Sequence, residues 1–506
     1  MTVTSATPAL DELRARLADI NALTMARDVL SWDQSTHMPS SGARDRGRHM
    51  SVLNRLSHEL FVSERTGELL AQADEETAGL PGDHIDSQLL AVVGRDYRRY
   101  TKVPPAFLER VSLHTSRTFH EWQQARPADD FARLRPLLEQ TVELSREFSS
   151  YYTGIAHPAD PLIDLADEGF TVATLRPLFA RLRAGLVPLV EAVVDRDDSI
   201  PSPFQQFFAP DAQLEVGLEL AQRFGYDLSR GRLDLAAHPF ATSFGVDDVR
   251  ITTRVDPHDL TQSLFSTLHE TGHALYELGV DPRLSGTSLA QGASSGVHES
   301  QSRLWENLVG RSRAYWEWAG PFLAQRFPDQ LGGVSVDAMY RAVNRVKRSL
   351  IRTDADELTY NLHVIVRFEL ALELLEGSLA VVDLPDAWRD RYQSYLGVAP
   401  TDDRGGVLQD IHWFAGMIGG SFQGYTIGNV LSVQIFEAAE RALGPLDARF
   451  AAGDFGDLER WLRTELYRYG RRLEPLDLVE RVTGSAMTVE PYLAYLRRKY
   501  GELHGA

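Results

Sequence analysis

The 506-residue chain contains no cysteine. Disulfide bonds and thiolate metal ligands are therefore excluded, and any zinc ion must be held by histidine, aspartate or glutamate. The chain also lacks a run of about 18 apolar residues, so no membrane span is expected. Residues 1–11 include an acidic side chain and no apolar signal-peptide core, which favours a cytoplasmic protein.

Basic residues are fewer than acidic ones, 52 against 71, and the net charge is −19. Affinity for nucleic acids comes mainly from Lys and Arg that neutralise phosphates, so no nucleic-acid partner is expected. The hydrophobic fraction of 43% and the charged fraction of 24% are typical of a globular protein. No repeat or low-complexity linker divides the sequence, and we expect one domain over residues 1–506.

The apolar residues follow a helical period in most of the chain. They recur three and four positions apart in two clear runs: Leu10, Leu13, Leu17 and Ile20, and Ile365, Phe368, Leu372 and Leu375. This spacing predicts a mainly α fold. Residues 249–255 instead alternate between apolar or threonine side chains and polar ones, which predicts a strand and a small β-sheet.

A helix is predicted over about residues 258–278, directly after the strand. Asp256 is expected to cap it, Pro257 suits a first turn, and Gly279 ends it. Its apolar stripe is expected to pack in the core: Leu264, Phe265, Leu268 and Leu275. The small sheet should therefore lie next to this helix.

The sequence His269-Glu270-Thr271-Gly272-His273 falls inside this helix. Two histidines four residues apart project from one face and can bind one metal ion. Glu270 lies about 100° further round the helix, where it can act as a general base without occupying a coordination position. The small residues Thr271 and Gly272 are expected to leave room for water and substrate. The pattern predicts a zinc-dependent peptidase.

A hydrolytic zinc site needs a third protein ligand and an open fourth position. The metzincin pattern is absent, because Tyr276 and Gly279 occupy the positions where it requires Gly and His. A further helix is predicted around residues 297–306. Glu299 in this helix is the preferred third ligand, with Glu306 and His298 as alternatives that spacing alone does not separate.

Several motifs make the chain resemble a known family, the metallocarboxypeptidases typified by carboxypeptidase Taq. The matching segments are His298-Glu299-Ser300 with Gln301-Ser302-Arg303, His238-Pro239-Phe240, Asp248-x-Arg250-x-Thr252, Ile351-Arg352 with Ala355-Asp356, and Gly406-x-x-Gln409-Asp410-x-His412-Trp413. The resemblance extends over nearly the whole chain. It implies that Glu299 is the third zinc ligand.

The resemblance also implies a largely helical fold with a deep substrate cleft between two helical lobes, related to neurolysin and angiotensin-converting enzyme, and a homodimer. The implied activity is removal of C-terminal residues from free-ended peptides with broad specificity. One zinc ion per chain is expected, and cobalt or manganese can replace zinc in a His-His-Glu site. One segment departs from the family pattern: Ser421-Phe422-Gln423-Gly424-Tyr425 stands where the family usually reads Tyr-Phe-Pro-Thr-Tyr.

Two residues are predicted, by resemblance to related cleft peptidases, to stabilise the developing oxyanion. These are Tyr425 and, second to it, His412. A structural role is the alternative for both. Asp410 is a candidate to accept the outer N–H of a zinc-bound histidine, although its neighbour Gln409 also permits a purely structural network.

Arg352 is predicted to bind the C-terminal carboxylate of the substrate, because a planar guanidinium suits bidentate binding of that group. The alternative is an ion pair with Asp354 or Asp356. His238 and Arg250 are candidates for substrate contact, and a structural role is the alternative for each.

Three functions therefore compete: a carboxypeptidase, an oligopeptidase of the neurolysin type that cuts internal bonds, and a non-catalytic peptide-binding protein. Arg352 favours the first over the second. The intact set of His269, Glu270, His273 and Glu299 argues against the third.

Overall fold

The computed structural model describes residues 7–194, 196 and 201–504. Residues 1–6, part of the segment assessed for a signal peptide, lie outside the described residues. The protein is 68% helical, which confirms the mainly α prediction. None of the helices in the described ranges is long and apolar enough to span a bilayer.

The described chain contains α-helices of very different lengths and one small sheet. The helices are α1 (Pro8–Thr36), α2 (Ala43–Phe61), α3 (Glu64–Thr77), α4 (Ile85–Tyr100), α5 (Pro105–Ala128), α6 (Phe131–Ser150), α7 (Asp160–Ala166), α8 (Val172–Val193), α9 (Pro210–Phe224), α10 (Leu260–Gly279), α11 (Ser295–Arg303), α12 (Arg313–Arg326), α13 (Pro328–Leu331), α14 (Val336–Val343), α15 (Tyr360–Glu376), α16 (Leu384–Leu396), α17 (Gln423–Leu443), α18 (Asp447–Ala451), α19 (Gly456–Glu465), α20 (Pro475–Thr483) and α21 (Glu490–His504). A π-helix over Leu304–Val309 continues α11.

The sheet has three strands, β1 (Leu233–Leu235), β2 (Ala241–Ser243) and β3 (Val249–Thr253), in the order β1-β3-β2. β3 is parallel to β1 and antiparallel to β2. Val249 and Ile251 of β3 are fully buried and pack in one cluster with Ala274 and Leu278 of α10. The predicted sheet beside the predicted zinc helix is therefore confirmed, although β3 ends at Thr253.

Helix α10 ends at Gly279 as predicted, but its start differs from the prediction. Asp259 is the N-cap, and its side chain accepts the backbone N–H of Thr261. The carboxylate of Asp256 instead accepts the N–H of His258 in a local turn. Asp256 as the cap was therefore wrong, because two aspartates compete here and the turn delays the first helical residue. The predicted apolar stripe is buried: Leu264, Phe265, Leu268 and Leu275.

The close approach of α10 and α11 depends on Gly272. A Cβ at this position would lie 2.5 Å from the carbonyl oxygen of Gln301 and 2.6 Å from Cα of Ser302. Thr271 is fully buried, and its hydroxyl donates to the carbonyl of Thr267 at 2.7 Å. The expectation that Thr271 and Gly272 leave room for water and substrate was wrong, because this face of the helix packs against α11.

Two of the buried clusters occupy different parts of the chain. The largest runs from Ala125 to Leu503 and includes α10, α11, α15 and α17. A second joins the first helices of the chain, from Ala9 to Val93, to Val280, Leu284 and Leu289. The functional helices therefore belong to the larger cluster. The single domain with two lobes stays a prediction.

Candidate metal centre

Three side chains from two adjoining helices meet at one point. Helix α10 carries His269 and His273, and α11 carries Glu299. Oε2 of Glu299 lies 3.7 Å from Nε2 of His269 and 3.4 Å from Nε2 of His273. One ligand atom from each residue lies within 4.8 Å of the other two. The tertiary structure thus assembles all three of the residues that the sequence proposed as ligands.

The separations fit a metal ion of ordinary size. Tetrahedral zinc with bonds of about 2.0–2.2 Å to nitrogen and oxygen requires ligand atoms about 3.4 Å apart. The observed separations of 3.4 and 3.7 Å are close to this value. Two imidazole nitrogens and one carboxylate oxygen also form a set of three ligands that leaves a fourth position open.

The outer nitrogen of His269 is held by Glu306. Nδ1 of His269 lies 2.9 Å from Oε2 of Glu306, so Nδ1 carries a hydrogen and Nε2 is the nitrogen that would bind a metal. Burial would raise the pKa of Glu306, but Arg303 and His269 lower it to about 2. Glu306, an alternative third ligand by spacing, therefore lies behind His269 as an ionised acceptor.

The outer nitrogen of His273 contacts a second histidine. Nδ1 of His273 lies 2.6 Å from Nδ1 of His298, and Nε2 of His298 lies 2.8 Å from Oε1 of Glu277. If Nε2 of His273 binds a metal, its Nδ1–H must donate to Nδ1 of His298. His298 then carries its hydrogen on Nε2 and donates it to Glu277. His298, the other alternative ligand, thus also lies behind the three ligand atoms.

Replacing Glu277 by Gln should weaken Zn²⁺ binding by about 10-fold. The amide oxygen can still accept from His298, but the negative charge that makes the two imidazoles better donors to a metal is lost. Competition with a chromophoric chelator measures the dissociation constant. Glu59→Gln, at an exposed ion pair with Arg55 on α2, is the matched control. Equal affinities of the two variants would contradict the prediction.

Two buried carboxylates of the site have their pKa values shifted in opposite directions. Burial, assisted by the charges of Glu299 and Glu306, raises the pKa of Glu270 to about 7, with His269 opposing. Burial would also raise the pKa of Glu299, but Arg303, whose Nε donates to Glu299 Oε1 at 2.7 Å, and the histidines hold it well below its usual range. Such a pair suits an ionised ligand beside a proton acceptor.

Tyr425 and His412 are brought together by a chain of hydrogen bonds. The Tyr425 hydroxyl lies 3.1 Å from Nε2 of His412, whose Nδ1 contacts Asp410. Asp410 also accepts from Nε of Arg352 at 2.7 Å and from Nε of Arg367 at 2.9 Å. Asp410 therefore does not accept from either histidine ligand, because its oxygens are engaged by this second group of residues.

Residues 421–425, which differ from the usual family pattern, lead into helix α17. This helix begins at Gln423, and Tyr425 lies in its first turn. Arg352 is buried, and its guanidinium lies 5.1 Å from the centre of the Tyr425 ring. Within the described residues Arg352 pairs with Asp410, and the alternative of an ion pair with Asp354 or Asp356 was wrong. The Asp356 carboxylate is occupied by backbone N–H groups of residues 347, 358 and 359.

Arg250 and His238 are not brought to this cluster. Arg250 pairs with Asp248 at 2.8 Å and stacks on Trp32 at 4.3 Å. His238 is exposed in the segment between β1 and β2. Among the described residues neither contacts the three ligand side chains, and their substrate roles stay predictions.

Sequence reasoning assigned no role to Glu277, which contacts His298, or to Arg303, which donates to Glu299. Glu277 follows His273 by four residues on α10, and Arg303 follows Glu299 by four on α11. Residues at this spacing lie on one face of a helix, so the signal was present. Charged residues at such spacings are common on any helix, and only the fold distinguishes these two.

A helical body that presents two histidines and one glutamate to a common point, beside a buried glutamate of raised pKa, defines the class of metal-dependent peptidases. A model of the carboxypeptidase Taq (M32) metallopeptidase family matches residues 12–500, and the chain belongs to this family. The resemblance drawn from the sequence motifs is therefore confirmed. The protein is a metallocarboxypeptidase, and its family implies a metal cofactor and peptide substrates.

Relatives of similar length support this assignment. The chain is 41% identical to thermostable carboxypeptidase 1 of Thermus thermophilus, with 97% of each chain covered. It is 35% identical to carboxypeptidase 1 of Bacillus subtilis, with 96% of this chain and 97% of the relative covered. The crystal structure of the M32 carboxypeptidase from Deinococcus radiodurans R1 is 48% identical with a TM-score of 0.95, covering 98% of this chain and 100% of that one.

Proposed function

We propose that the protein is a zinc-dependent carboxypeptidase that removes single C-terminal residues from peptides with broad specificity. The observation that carries the proposal is the approach of Glu299 to the Nε2 atoms of His269 and His273, at 3.7 and 3.4 Å, with Glu270 buried beside them. These three residues would hold one zinc ion, and cobalt or manganese also suits the donor set. Zinc in this site would lower the pKa of a bound water and polarise the scissile carbonyl.

Glu270 acts as the general base in this proposal. Its carboxylate takes a proton from the attacking water and delivers it to the leaving amine. Tyr425 donates its hydroxyl hydrogen to the developing oxyanion. His412, with Nδ1 held by Asp410, supports this by fixing the position of the Tyr425 hydroxyl, which lies 3.1 Å from its Nε2. No covalent intermediate is needed.

Arg352 is proposed to bind the C-terminal carboxylate of the peptide. Arg352 and Arg367 share one carboxylate, that of Asp410, so the group carries a net positive charge close to Tyr425. A guanidinium with spare donors suits a free carboxylate. His238 and Arg250 are retained as further substrate contacts. The homodimer and the cytoplasmic location stay predictions.

The test compares a free-ended peptide with its C-terminally amidated twin, followed by mass spectrometry. The chain is stripped with a chelator and reloaded with Zn²⁺, and Glu270→Gln controls for contaminating peptidases. Stepwise loss of single C-terminal residues from the free peptide alone is expected. Internal cleavage of both peptides would instead support an oligopeptidase of the neurolysin type.

Replacing Arg352 by Ala should lower kcat/KM on the free-ended peptide by about 10- to 100-fold, the equivalent of one charge-assisted contact. Asp410 keeps Arg367 and His412 as partners, so its charge stays compensated. Steady-state kinetics with the same peptide measure the loss. Arg250→Ala is the comparison variant, and a larger loss there would transfer the carboxylate-binding role to Arg250.

A further inference from the structure

Asp167 is a buried carboxylate at a point where three segments meet. Asp167 is fully buried, with 0% of its surface exposed. It comes directly after Ala166, the last residue of α7. Oδ1 accepts the backbone N–H of Gly296 at 2.6 Å, and Oδ2 accepts the side-chain amide of Gln423 at 3.1 Å. Gly296 lies in the first turn of α11 and Gln423 begins α17. One carboxylate therefore joins the starts of two helices.

Burying this carboxylate costs free energy. Burial raises the pKa of Asp167, and the hydrogen bonds from Gly296, Gln423 and Ser294 offset the rise only in part. In the described part of the chain no Lys, Arg or His pairs with it, so the compensation comes from these hydrogen bonds. Groups that lower stability in this way occur mostly where function requires them.

Helices α11 and α17 touch with little side-chain material between them. A Cβ on Gly428 would lie 2.5 Å from Cγ of Glu299, and a Cβ on Gly296 would overlap Cγ2 of Ile427. The Glu299 side chain thus packs directly against the backbone of α17. A displacement of α17 relative to α11 would therefore change the packing of the Glu299 side chain.

The two residues that donate to Asp167 lie close in sequence to the functional side chains of Glu299 and Tyr425. Gly296 precedes Glu299 by three residues on α11, a rise of about 4.5 Å, and Gln423 precedes Tyr425 by two residues on α17, a rise of about 3 Å. A change at this junction therefore reaches both side chains within one helical turn.

We propose that Asp167 is a positioning residue, which sets the place of Tyr425 relative to Glu299 by joining the first turns of α17 and α11. The inference rests on the proposed function, in which Glu299 binds the metal and Tyr425 stabilises the oxyanion. Gln423 supplies the side-chain donor to Asp167. A Cβ on the next residue, Gly424, would lie 3.1 Å from Cβ of Ser295 and 3.2 Å from Oδ2 of Asp167.

The first variant is Asp167→Asn, studied as the full chain with and without Zn²⁺. We expect kcat on the free-ended peptide to fall by about 10- to 100-fold with KM within about threefold, since a misplacement near 1 Å costs this much. Zn²⁺ affinity should fall by about 10-fold in chelator competition. Asp160→Asn is the matched control, because Asp160 begins α7 and accepts the backbone N–H groups of His157 and Val172 at 2.9 and 2.8 Å. Both constants should stay within about twofold there.

The second variant, Gln423→Leu, decides the matter if Asp167→Asn does not fold. It removes the hydrogen bonds that the side-chain amide donates to Asp167 and to the carbonyl of Gly420. It also removes Oε1 of Gln423, which is buried without a partner in the described structure. We expect kcat to fall by about 3- to 10-fold, the equivalent of one hydrogen bond to Asp167. Unchanged kcat and Zn²⁺ affinity in the folded variants would overturn the proposal. If the wild type hydrolyses no peptide, the proposed function fails, and the Zn²⁺ affinities alone still test the junction.

Discussion

Replacing Glu270 by Gln is expected to lower kcat for peptide hydrolysis by about 10²- to 10⁴-fold. Gln has the same shape but takes no proton from water and returns none to the leaving amine. Zn²⁺ affinity should stay within a few-fold, because Glu270 is not among the three residues that face the common point. Single-turnover assays with a free-ended peptide measure the loss, and retention of more than a tenth of the wild-type rate would contradict the role of general base.

The same variant should be more stable than the wild type when no metal is bound. The pKa of Glu270 rises from 4.5 to about 7 on folding, so the folded metal-free protein binds the proton more tightly than the unfolded chain does. Stability is therefore lost as pH rises from about 4.5 to 7, by roughly 3 kcal/mol in total. At pH 8 the free energy of unfolding of Glu270→Gln should be higher by up to that amount, and at pH 4 the two should agree. Urea unfolding in the presence of a chelator measures both.

The loss of a residue that hydrogen-bonds a metal ligand typically weakens metal binding by about 10- to 100-fold. Replacing Glu299 by Gln changes a ligand itself and should weaken Zn²⁺ binding by more than this. Peptide hydrolysis at limiting Zn²⁺ should be lost with it. The amide oxygen can still accept from Nε of Arg303, which donates to Glu299 at 2.7 Å. The cation of Arg303 also keeps Glu306 as a partner at 3.1 Å. The variant therefore tests the ligand rather than the buried ion pair.

Glu306→Gln is the matched control for this result, since it is buried on the same segment and contacts both His269 and Arg303. Its Zn²⁺ affinity should fall by about 10- to 100-fold. Chelator competition ranks the two variants on one scale. A larger loss for Glu306→Gln than for Glu299→Gln would make Glu306 the third ligand and reverse our assignment.

Local periodicity predicted the elements that carry the site. Helix α10 and strand β3 were found because helical and strand periods are set by backbone geometry and appear directly in the spacing of apolar residues. The cap of α10 was not found, because Asp256 and Asp259 are equally good caps locally. The choice between them depends on the turn that Asp256 makes with His258.

Contacts between distant segments were beyond the reach of the sequence pattern. Arg352 pairs with Asp410 rather than with Asp354 or Asp356, which are nearer in sequence. Asp167 accepts the backbone N–H of Gly296, which is also distant in sequence. Thr271 and Gly272 were expected to leave space beside the metal because the sequence did not show that α11 packs against this part of α10. Such pairings depend on how helices pack, which no local pattern specifies.

The sequence by itself determined the mainly α class, the zinc-type motif on α10 and the family, because each depends on residue spacing along one element or on motifs that can be recognised in order. The family resemblance already implied Glu299 as the third ligand, whereas spacing left Glu306 and His298 open. Only the tertiary structure decided how the three candidates are placed around the two histidines. It brought Glu299 to 3.4 and 3.7 Å from their Nε2 atoms and left Glu306 and His298 behind the rings. The physical reason is the close packing of α11 between α10 and α17, where Gly272 and Gly428 leave no room for a Cβ.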